Sequence, residues 1–382
     1  MLYEIVYRFP NEMIFEEGGP LISLYQPTHR SFPENKRDTI MFRNLIRVIE
    51  NSLEKKYDKG FIDSIMKPFH ELEGDIRFWQ KTSDGIAVLA NQNKCIVYNL
   101  QGPAEEFATV ADSFHIKPLI KEFQSLENYH LLGLSRNSFT LYQGNRHGFS
   151  EVLLDPDTPR ILEEVLGKQL TDPYLTHGTY GGTGGKAMFH GHGDSRKEID
   201  VDTEKYFRYV DDFVTENYSK PSELPLILVA LPEHHSLFSK ISDNPYLLED
   251  GINISYESLE MDEIKSKALG IIEPIISKKI QNLVESYGNA EAEFQGSSDL
   301  GQIAKAAFES RVKTILIEEN KIVPGKIDHE TGKISFGEID EPGLDDILDD
   351  IAELVINRKG EVLILPKEKM PCTTGAVAIY RY

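Results

Sequence analysis

The residues best suited to chemistry lie in one glycine-rich run near the middle of the chain. Residues 176–193 hold seven glycines, three histidines (His177, His190 and His192) and one lysine, Lys186. Imidazole can bind a metal ion, and an ammonium can bind phosphate. Glycine packs no side chain and adopts positive φ freely, so no helix or strand period fits the run. Loops of more than roughly 12–15 residues are usually functional or disordered, and we expect a functional loop within a folded domain.

The run does not match the two common nucleotide-binding motifs. A phosphate-binding P-loop would need glycine at position 180 and Ser or Thr after Lys186, where the chain has Tyr180 and Ala187. A dinucleotide-binding fingerprint opens a helix directly from a strand. Here Ala187 is followed by further glycines and histidines instead.

A metal site is an alternative interpretation of the same run. His190-Gly-His192-Gly-Asp194 resembles the start of a His-x-His-x-Asp-His hydrolase motif, and imidazole with carboxylate can hold zinc. However, Ser195 stands where the last histidine would be, and the flanking glycines give the ligands little of the orientation that metal ligands need. A metal-dependent hydrolase using His190, His192 and Asp194 therefore stands beside the simpler interpretation of exposed loop histidines.

An amphipathic helix is predicted directly after the run and would carry it. Within Asp200–Asn217, four apolar side chains fall at i, i+3, i+6 and i+7, namely Phe207, Val210, Phe213 and Val214.

A buried strand follows, and polar residues come after it. Leu224–Leu231 is a continuous apolar run typical of a buried strand. The next residues include Glu233, His234 and His235, at a place where binding residues often lie in α/β folds. Helix capping and surface exposure explain these three residues as well.

The remaining segments predict a layered α/β protein. Predicted strands are Leu21–Tyr25, Phe78–Leu89, Lys94–Leu100, Tyr129–Leu134, Ser138–Gln143, Phe149–Leu154, Thr314–Glu318, Glu361–Leu365 and Val377–Tyr380, with a hairpin at Pro324–Phe336. Predicted helices are Thr39–Lys56, Gly60–Leu72, a short one from Phe114 to about Ser125, Glu257–Tyr287, Asp299–Ser310 and Leu344–Asn357.

Length and composition indicate a cytoplasmic protein of two or three domains. The chain has 382 residues and a net charge of −21, which disfavours a whole-surface polyanion binder. Neither a membrane-spanning run nor a signal peptide is recognisable. Cys95 and Cys372 are expected to be buried free thiols. Residues 340–353 contain no Lys or Arg and are expected to form a solvated acidic helix face.

Six segments, in order along the chain, resemble the bacterial homologues of archaeal and eukaryotic class I release factors and Pelota, the baeRF group. They are Ser23-Leu-Tyr-Gln-Pro-Thr-His-Arg, Phe78-Trp-Gln-Lys-Thr-Ser-Asp-Gly-Ile-Ala-Val, Phe114-His-Ile-Lys-Pro-Leu-Ile, Leu132-Gly-Leu-Ser-Arg-Asn, the loop Gly181–Gly193 with its helix, and Met370-Pro-Cys-Thr-Thr-Gly-Ala-Val-Ala-Ile.

This resemblance implies an α/β protein of three domains. Residues 1–126 would form a bacterial-type N-terminal α/β domain, and residues 127–255 an RNase H-like middle domain with the loop 177–193. Residues 256–382 would form an α/β/α domain like those of kink-turn-binding ribosomal proteins. The N-terminal domain differs from the one that reads stop codons in the relatives, so the resemblance does not extend to codon recognition.

The resemblance also implies work at the ribosome, in termination or in rescue of stalled complexes. The family's catalytic Gly-Gly-Gln corresponds here to Gly184, Gly185 and Lys186, and an ammonium lacks the acceptor that an amide offers. Hydrolysis of peptidyl-tRNA therefore stays open beside RNA contact without catalysis. The expected RNA-binding residues are His177, Gly181, Gly182, Lys186, His190, His192, Arg196 and Lys197.

The implied partners are the ribosome and tRNA, with a translational GTPase or another basic protein as a further possibility. Neither DNA, a membrane nor a cofactor is expected. A third hypothesis is a non-enzymatic protein whose acidic C-terminal domain binds a basic partner and does not need Lys186.

Overall fold

A computed structural model describes residues 2–16, 18–167, 193–256, 261–328, 331–337 and 345–382. The chain divides into two compact units, one formed by Met1–Leu126 with Ser277–Tyr382 and the other by Glu127–Ile276. The predicted mixed α/β class is confirmed. Among the described residues, no helix has the length and apolarity needed to cross a bilayer.

The N-terminal part of the first unit is a five-stranded mixed sheet with helices on both faces, since α1, α2 and α3 pack in one core and α4 in the other. Its strands are β1 (Glu4–Val6), β2 (Leu21–Pro27), β3 (Gly85–Ala90), β4 (Cys95–Leu100) and β5 (Phe107–Ala111), in the order β1-β4-β3-β2-β5. Its helices are α1 (Asp38–Leu53), α2 (Lys59–Gly74), α3 (Ile76–Trp79) and α4 (Lys117–Phe123). Only β1 and β4 are parallel; the other pairs are antiparallel.

The second unit contains a four-stranded sheet, β8-β7-β6-β9, against which helices pack. Its strands are β6 (Tyr129–Leu134), β7 (Phe139–Gly144), β8 (Phe149–Glu151) and β9 (Leu226–Val229). Its helices are α5 (Leu162–Leu166), α6 (Gly193–Val214), α7 (Lys220–Ser222) and α8 (Pro232–Ile241). Strands β6 and β9 are parallel, which brings their carboxyl ends to one edge of the sheet.

The C-terminal part of the chain belongs to the first unit. After the long helix α9 (Met261–Ala292) come α10 (Leu300–Phe308) and α11 (Ile347–Asn357). The larger sheet, β10-β16-β11-β15, is built from β10 (Gly296–Ser297), β11 (Val312–Glu318), β15 (Glu361–Leu365) and β16 (Ala376–Tyr380). A smaller sheet, β13-β12-β14, contains β12 (Pro324–Ile327), β13 (Ile334–Phe336) and β14 (Asp345–Asp346).

The two faces of β2 explain how distant parts of the chain share the first unit. Because side chains alternate along a strand, Ile22 and Leu24 join the core made with α1 and α2. Leu21 and Tyr25 join a second core that also contains Ile303 of α10. The N-terminal and C-terminal parts therefore bury one continuous hydrophobic cluster.

Buried carboxylates of α11 and the residue before it reinforce this contact. Asp349 is 1% exposed and accepts backbone N–H bonds from Ile116 (2.9 Å) and Lys117 (2.7 Å). The Lys117 ammonium forms an ion pair with buried Asp346 and donates to the carbonyl of Lys321 at 2.6 Å. Asp350 accepts from Ser113 at 2.9 Å.

Three expectations from the sequence are wrong. Asp346, Asp349 and Asp350 are buried rather than part of a solvated acidic face. Phe78 and Trp79 lie in α3 rather than in a strand, because Asp75 accepts N–H bonds from Arg77 and Phe78 and caps that helix. Cys95 is buried as expected, but Cys372 is partly exposed.

Replacement of Asp349 by alanine should destabilise the first unit by about 3–4 kcal/mol, because it leaves buried amides of Ile116 and Lys117 without an acceptor. Asp112→Ala is the control, since it removes only the exposed ion pair with Lys326 (2.8 Å) and should cost less than about 1 kcal/mol. Trp79, the single tryptophan, is buried in this unit and reports urea unfolding by fluorescence. Equal losses in the two variants would contradict the role assigned to Asp349.

Candidate nucleic-acid interface

Most of the glycine-rich run lies outside the described residues. This holds for His177, Gly181, Gly182, Gly184, Gly185, Lys186, His190 and His192. Helix α6 begins at Gly193, so Asp194, Arg196 and Lys197 belong to its first turns, but their side chains are not described. The described part of the candidate site therefore consists of the elements that flank the run.

The helix that follows the run is anchored by an aromatic and aliphatic stripe. Tyr206, Phe207, Val210 and Val214 are all fully buried. They share one core cluster with strand residues such as Leu132 of β6. The spacing i, i+1, i+4 and i+8 places these side chains on one side of a helix, which confirms the predicted amphipathic helix.

Hydrogen bonds fix the same helix along its buried part. The Tyr206 hydroxyl donates to the carbonyl of Arg160 at 2.6 Å. Asp211 accepts from the Ser242 hydroxyl at 2.5 Å and from the Asp243 N–H at 3.0 Å. Burial raises the pKa of Asp211, and these two bonds oppose that rise. Helix α6 is thus tied to the segments before α5 and after α8.

The last turn of this helical run widens into a π-helix. Residues Thr215–Ser219 form it, and Ser219 accepts a hydrogen bond from Asn244 at 2.9 Å. Tyr218 meets the ring of His130 edge-on, with centroids 6.3 Å apart. His130 is 3% exposed, and burial lowers its pKa to about 4. A neutral imidazole therefore sits under the C-terminal end of the helix at physiological pH.

Polar residues follow the carboxyl ends of the parallel strands β6 and β9. The turn 135–138 comes after β6, and it contains the exposed Arg136. His234 lies in the first turn of α8, after β9, and its ring meets Phe207 of α6 edge-on at 5.5 Å. Arg136 makes no ion pair within the described part of the chain.

Both elements that flank residues 168–192 reach this edge of the sheet. The N–H of Leu162, at the start of α5, donates to the carbonyl of Asn137 at 2.9 Å. Helix α6 passes the edge where Phe207 contacts His234. The glycine-rich run therefore connects two helices, α5 and α6, that both contact the chain at the carboxyl ends of β6 and β9.

The histidine pair of α8 is packed into this edge. Burial lowers the pKa of both His234 and His235; the nearby carboxylate of Glu233 opposes the effect on His234, and the charge of Arg136 adds to it. His235 Nε2 donates to the carbonyl of Ile252 at 3.2 Å. Both imidazoles are thus neutral at physiological pH, and His235 also ties α8 to Ile252. The positive charge at this edge comes from Arg136.

The sequence identified some of this edge and missed the rest. The sequence left His234 and His235 open between a binding role, from their position after a buried strand, and helix capping or surface exposure. Tyr256, whose hydroxyl lies 2.8 Å from Ser138 Oγ and whose ring packs on Gly133, carried no recognisable signal. No group of three or more metal-binding side chains occurs among the described residues, and the alternative metal ligands His190, His192 and Asp194 fall outside the described side chains.

Comparison with known proteins gives a family match for the segment of the chain that contains β6, β9 and the glycine-rich run. Residues 128–311 match the model of Bacterial archaeo-eukaryotic release factor family 3. The predicted resemblance to the bacterial release-factor-like group is confirmed. None of the curated proteins shows significant sequence similarity to the chain.

Solved structures that resemble this chain have low sequence identity to it. The archaeal translation termination factor aRF1 is 13% identical, with coverage of 97% of this chain and 95% of that one and a TM-score of 0.27. The ribosome-bound archaeal Pelota model is 12% identical, with 74% and 72% coverage and a TM-score of 0.40. Dom34 of S. cerevisiae is 12% identical, with 78% and 79% coverage and a TM-score of 0.37. We base the functional proposal on the family match rather than on these structures.

Gly251→Ala should disrupt the packing of α8, because an added Cβ would lie 2.2 Å from His235 Cε1 and 2.8 Å from the carbonyl oxygen of Leu228. We expect a loss of about 2–3 kcal/mol, as for other overpacked core sites. Gly270→Ala is the matched control, since a Cβ there meets no atom and should stabilise helix α9 by up to about 1 kcal/mol. Hydrogen exchange of the α8 amides measures the difference; unchanged protection in Gly251→Ala would contradict it.

The second unit should lose stability as the pH falls from about 6.5 towards 4. His130 has a folded-state pKa of about 4, below the unfolded value, so the unfolded chain binds more protons in this range. Between pH 7 and pH 4.5, the loss of stability from this shift should be roughly 2–3 kcal/mol. His130→Leu should remove that part of the pH dependence, measured by urea unfolding at pH 7 and pH 4.5. An identical pH dependence in the variant would assign the effect to other groups.

Proposed function

We propose that this protein acts at the ribosome, in translation termination or in rescue of stalled complexes. The observation that carries the proposal is the match of residues 128–311 to a release-factor family, because this segment contains the glycine-rich run and the helix that holds it.

The glycine-rich run is the proposed RNA-contacting element. Glycines such as Gly184 and Gly185 allow backbone to approach RNA closely, and Lys186 would bind a phosphate as a point charge. His177, Gly181, Gly182, His190, His192, Arg196 and Lys197 complete the proposed contact set. The buried stripe of α6 supports this proposal, because a functional loop is positioned accurately only when the helix that carries it is fixed by packing.

Arg136 is a further proposed contact. Binding to a phosphate backbone depends on local Lys and Arg residues, which matters in a chain with a net charge of −21. Several other cations of the same unit are neutralised by neighbouring carboxylates, including Arg160 by Glu151 and Arg208 by Glu204. Arg136 is exposed, has no such partner among the described residues and lies at the edge where the run is held.

We propose RNA contact without hydrolysis of peptidyl-tRNA. Activation of a water molecule by a neutral amide relies on an acceptor and a donor in one group. Lys186 offers donors only, so it can stabilise negative charge but cannot position a water molecule in the same way. The chain therefore keeps the glycines of the family tripeptide without the group that would complete the reaction.

The rival hypothesis of an acidic docking domain receives less support. Asp346, Asp349 and Asp350 are buried and bound by groups of the same unit. These carboxylates are unavailable to a basic partner unless the unit opens.

The test is co-sedimentation with purified ribosomes that carry labelled peptidyl-tRNA, with peptide release scored in the same tube. We expect the wild-type chain to bind without release and the combined variant Gly184→Ala, Gly185→Ala, Lys186→Ala to bind at least tenfold more weakly. Release that disappears with Gly185→Ala would show hydrolysis. Binding that survives the combined variant would favour a protein-docking role, and lack of binding would overturn the ribosomal proposal.

Arg136→Ala should weaken binding several-fold and reduce the slope of log affinity against log salt by about 1, as expected for one lost phosphate contact. Lys240→Ala is the matched control, because Lys240 is an exposed cation in the last turn of α8, away from the first-turn His234. Equal effects of the two variants would indicate general electrostatics rather than a contact at the sheet edge.

A further inference from the structure

A groove in the first unit lies between helix α1 and strand β5, and the function proposed above does not use it. It has a cavity volume of about 340 Å³ and is lined by helix and strand residues: Val48, Ile49, Asn51, Ser52, Lys55, Ala108, Thr109 and Val110. The lining residues all belong to one unit, so the groove is a property of that unit alone.

Strand β5 forms one wall of the groove and is an edge of its sheet. It pairs with β2 through the register Leu21↔Ala111 to Tyr25↔Phe107, and no second ladder partner occurs among the described residues. All five of its residues are partly exposed. An edge strand presents unpaired N–H and C=O groups, which proteins usually cover or protect. Here the exposed edge adjoins a groove rather than a covering element.

Helix α1 forms the other wall with a largely polar face that carries one exposed apolar side chain, Val48. Val48 is 51% exposed, whereas Phe42 and Ile49 belong to the stripe that packs into the core and are fully buried. Residues 48, 51 and 52 follow one another at i, i+3 and i+4 and so share a face, and Lys55, in the turn just after the helix, lines the same groove. This wall therefore offers one apolar contact and, about two turns further along the chain, one cation.

The charge of the groove differs from that of the whole chain. None of its eight lining residues is acidic, although the chain carries a net charge of −21. Lys55 makes no ion pair within the described residues. A carboxylate is the group that complements an unpaired ammonium beside apolar side chains.

The direction of the two walls sets where that carboxylate would lie. The side chain of Gln26, near the end of β2, donates to the carbonyl of Asp38 at the start of α1. Tyr25 is paired with Phe107, the first residue of β5. Helix α1 therefore starts near the beginning of β5 and runs back along the sheet, so Lys55 stands towards the Ala111 end of the strand.

We infer that this groove binds an extended peptide segment of another protein, which adds to β5 as a further strand. Main-chain hydrogen bonds to the free edge would hold the segment, and alternate apolar side chains would enter the groove beside Val48. A carboxylate of the segment, from an acidic side chain or its C-terminus, would pair with Lys55. This binding site is independent of the ribosomal function proposed above.

The first test selects binders from a library of random ten-residue peptides with free C-termini, using the full chain. Expected binders alternate apolar residues, and amidation of the carboxylate that pairs with Lys55 should weaken their binding. Val48→Glu and Lys55→Glu should each weaken their binding at least tenfold. The matched control is Val201→Glu, because Val201 is an exposed helical valine of similar exposure (48%) in the other unit. Peptides whose binding resists both groove substitutions, or a selection without binders, would overturn the inference.

A second test distinguishes strand addition from other binding. Two versions of a selected peptide carry N-methyl groups on alternate residues, one set on odd and one on even positions. Since successive N–H groups of a strand point to opposite sides, only one version should lose binding, and the amides of residues 107–111 should gain protection from hydrogen exchange. Equal behaviour of the two versions would overturn the inference. So would a dimer of the chain that Val48→Glu dissociates, because the occupant would then be a second copy.

Discussion

The first unit depends on carboxylates that are removed from water and bound by the backbone of a distant segment. Asp349 receives the N–H groups of Ile116 and Lys117, more than 230 positions earlier in the chain. An unpaired buried carboxylate is far costlier than an exposed one, so this arrangement is stable only when both segments are in place. The carboxylates therefore make the N-terminal sheet and the C-terminal α/β part interdependent, and the shared hydrophobic core around Tyr25 and Ile303 reinforces that dependence.

The second unit differs from the first in that it carries the glycine-rich run, whose sequence offers few side chains for packing. A segment with seven glycines in 18 residues pays a high conformational-entropy cost on ordering. Helix α6 contributes buried side chains and hydrogen bonds from Tyr206 and Asp211, so its later turns are fixed independently of the run. The parallel pair β6 and β9 then defines the edge at which the helix and α5 meet. The core of the second unit therefore fixes the positions of the two helices that flank the run.

Much of the fold could be predicted because its signals are local. The apolar spacing of α1 and α6 and the continuous apolar run of β9 depend on neighbours in sequence, and the structure has all three elements. Strand β5 was missed because five partly exposed residues carry no strong alternation. The buried state of Asp349 was also missed, because its partners lie far away in sequence and a run of acids looks solvated until a fold supplies donors.

The candidate site was predictable only in part, because some of its residues are brought together by the fold and not by local sequence. Glycine content marks the run 177–193 directly, and the predicted strand before His234 marks that residue's position. Arg136 becomes notable only when its lack of a carboxylate partner and its place beside His234 are known, and both are properties of the fold.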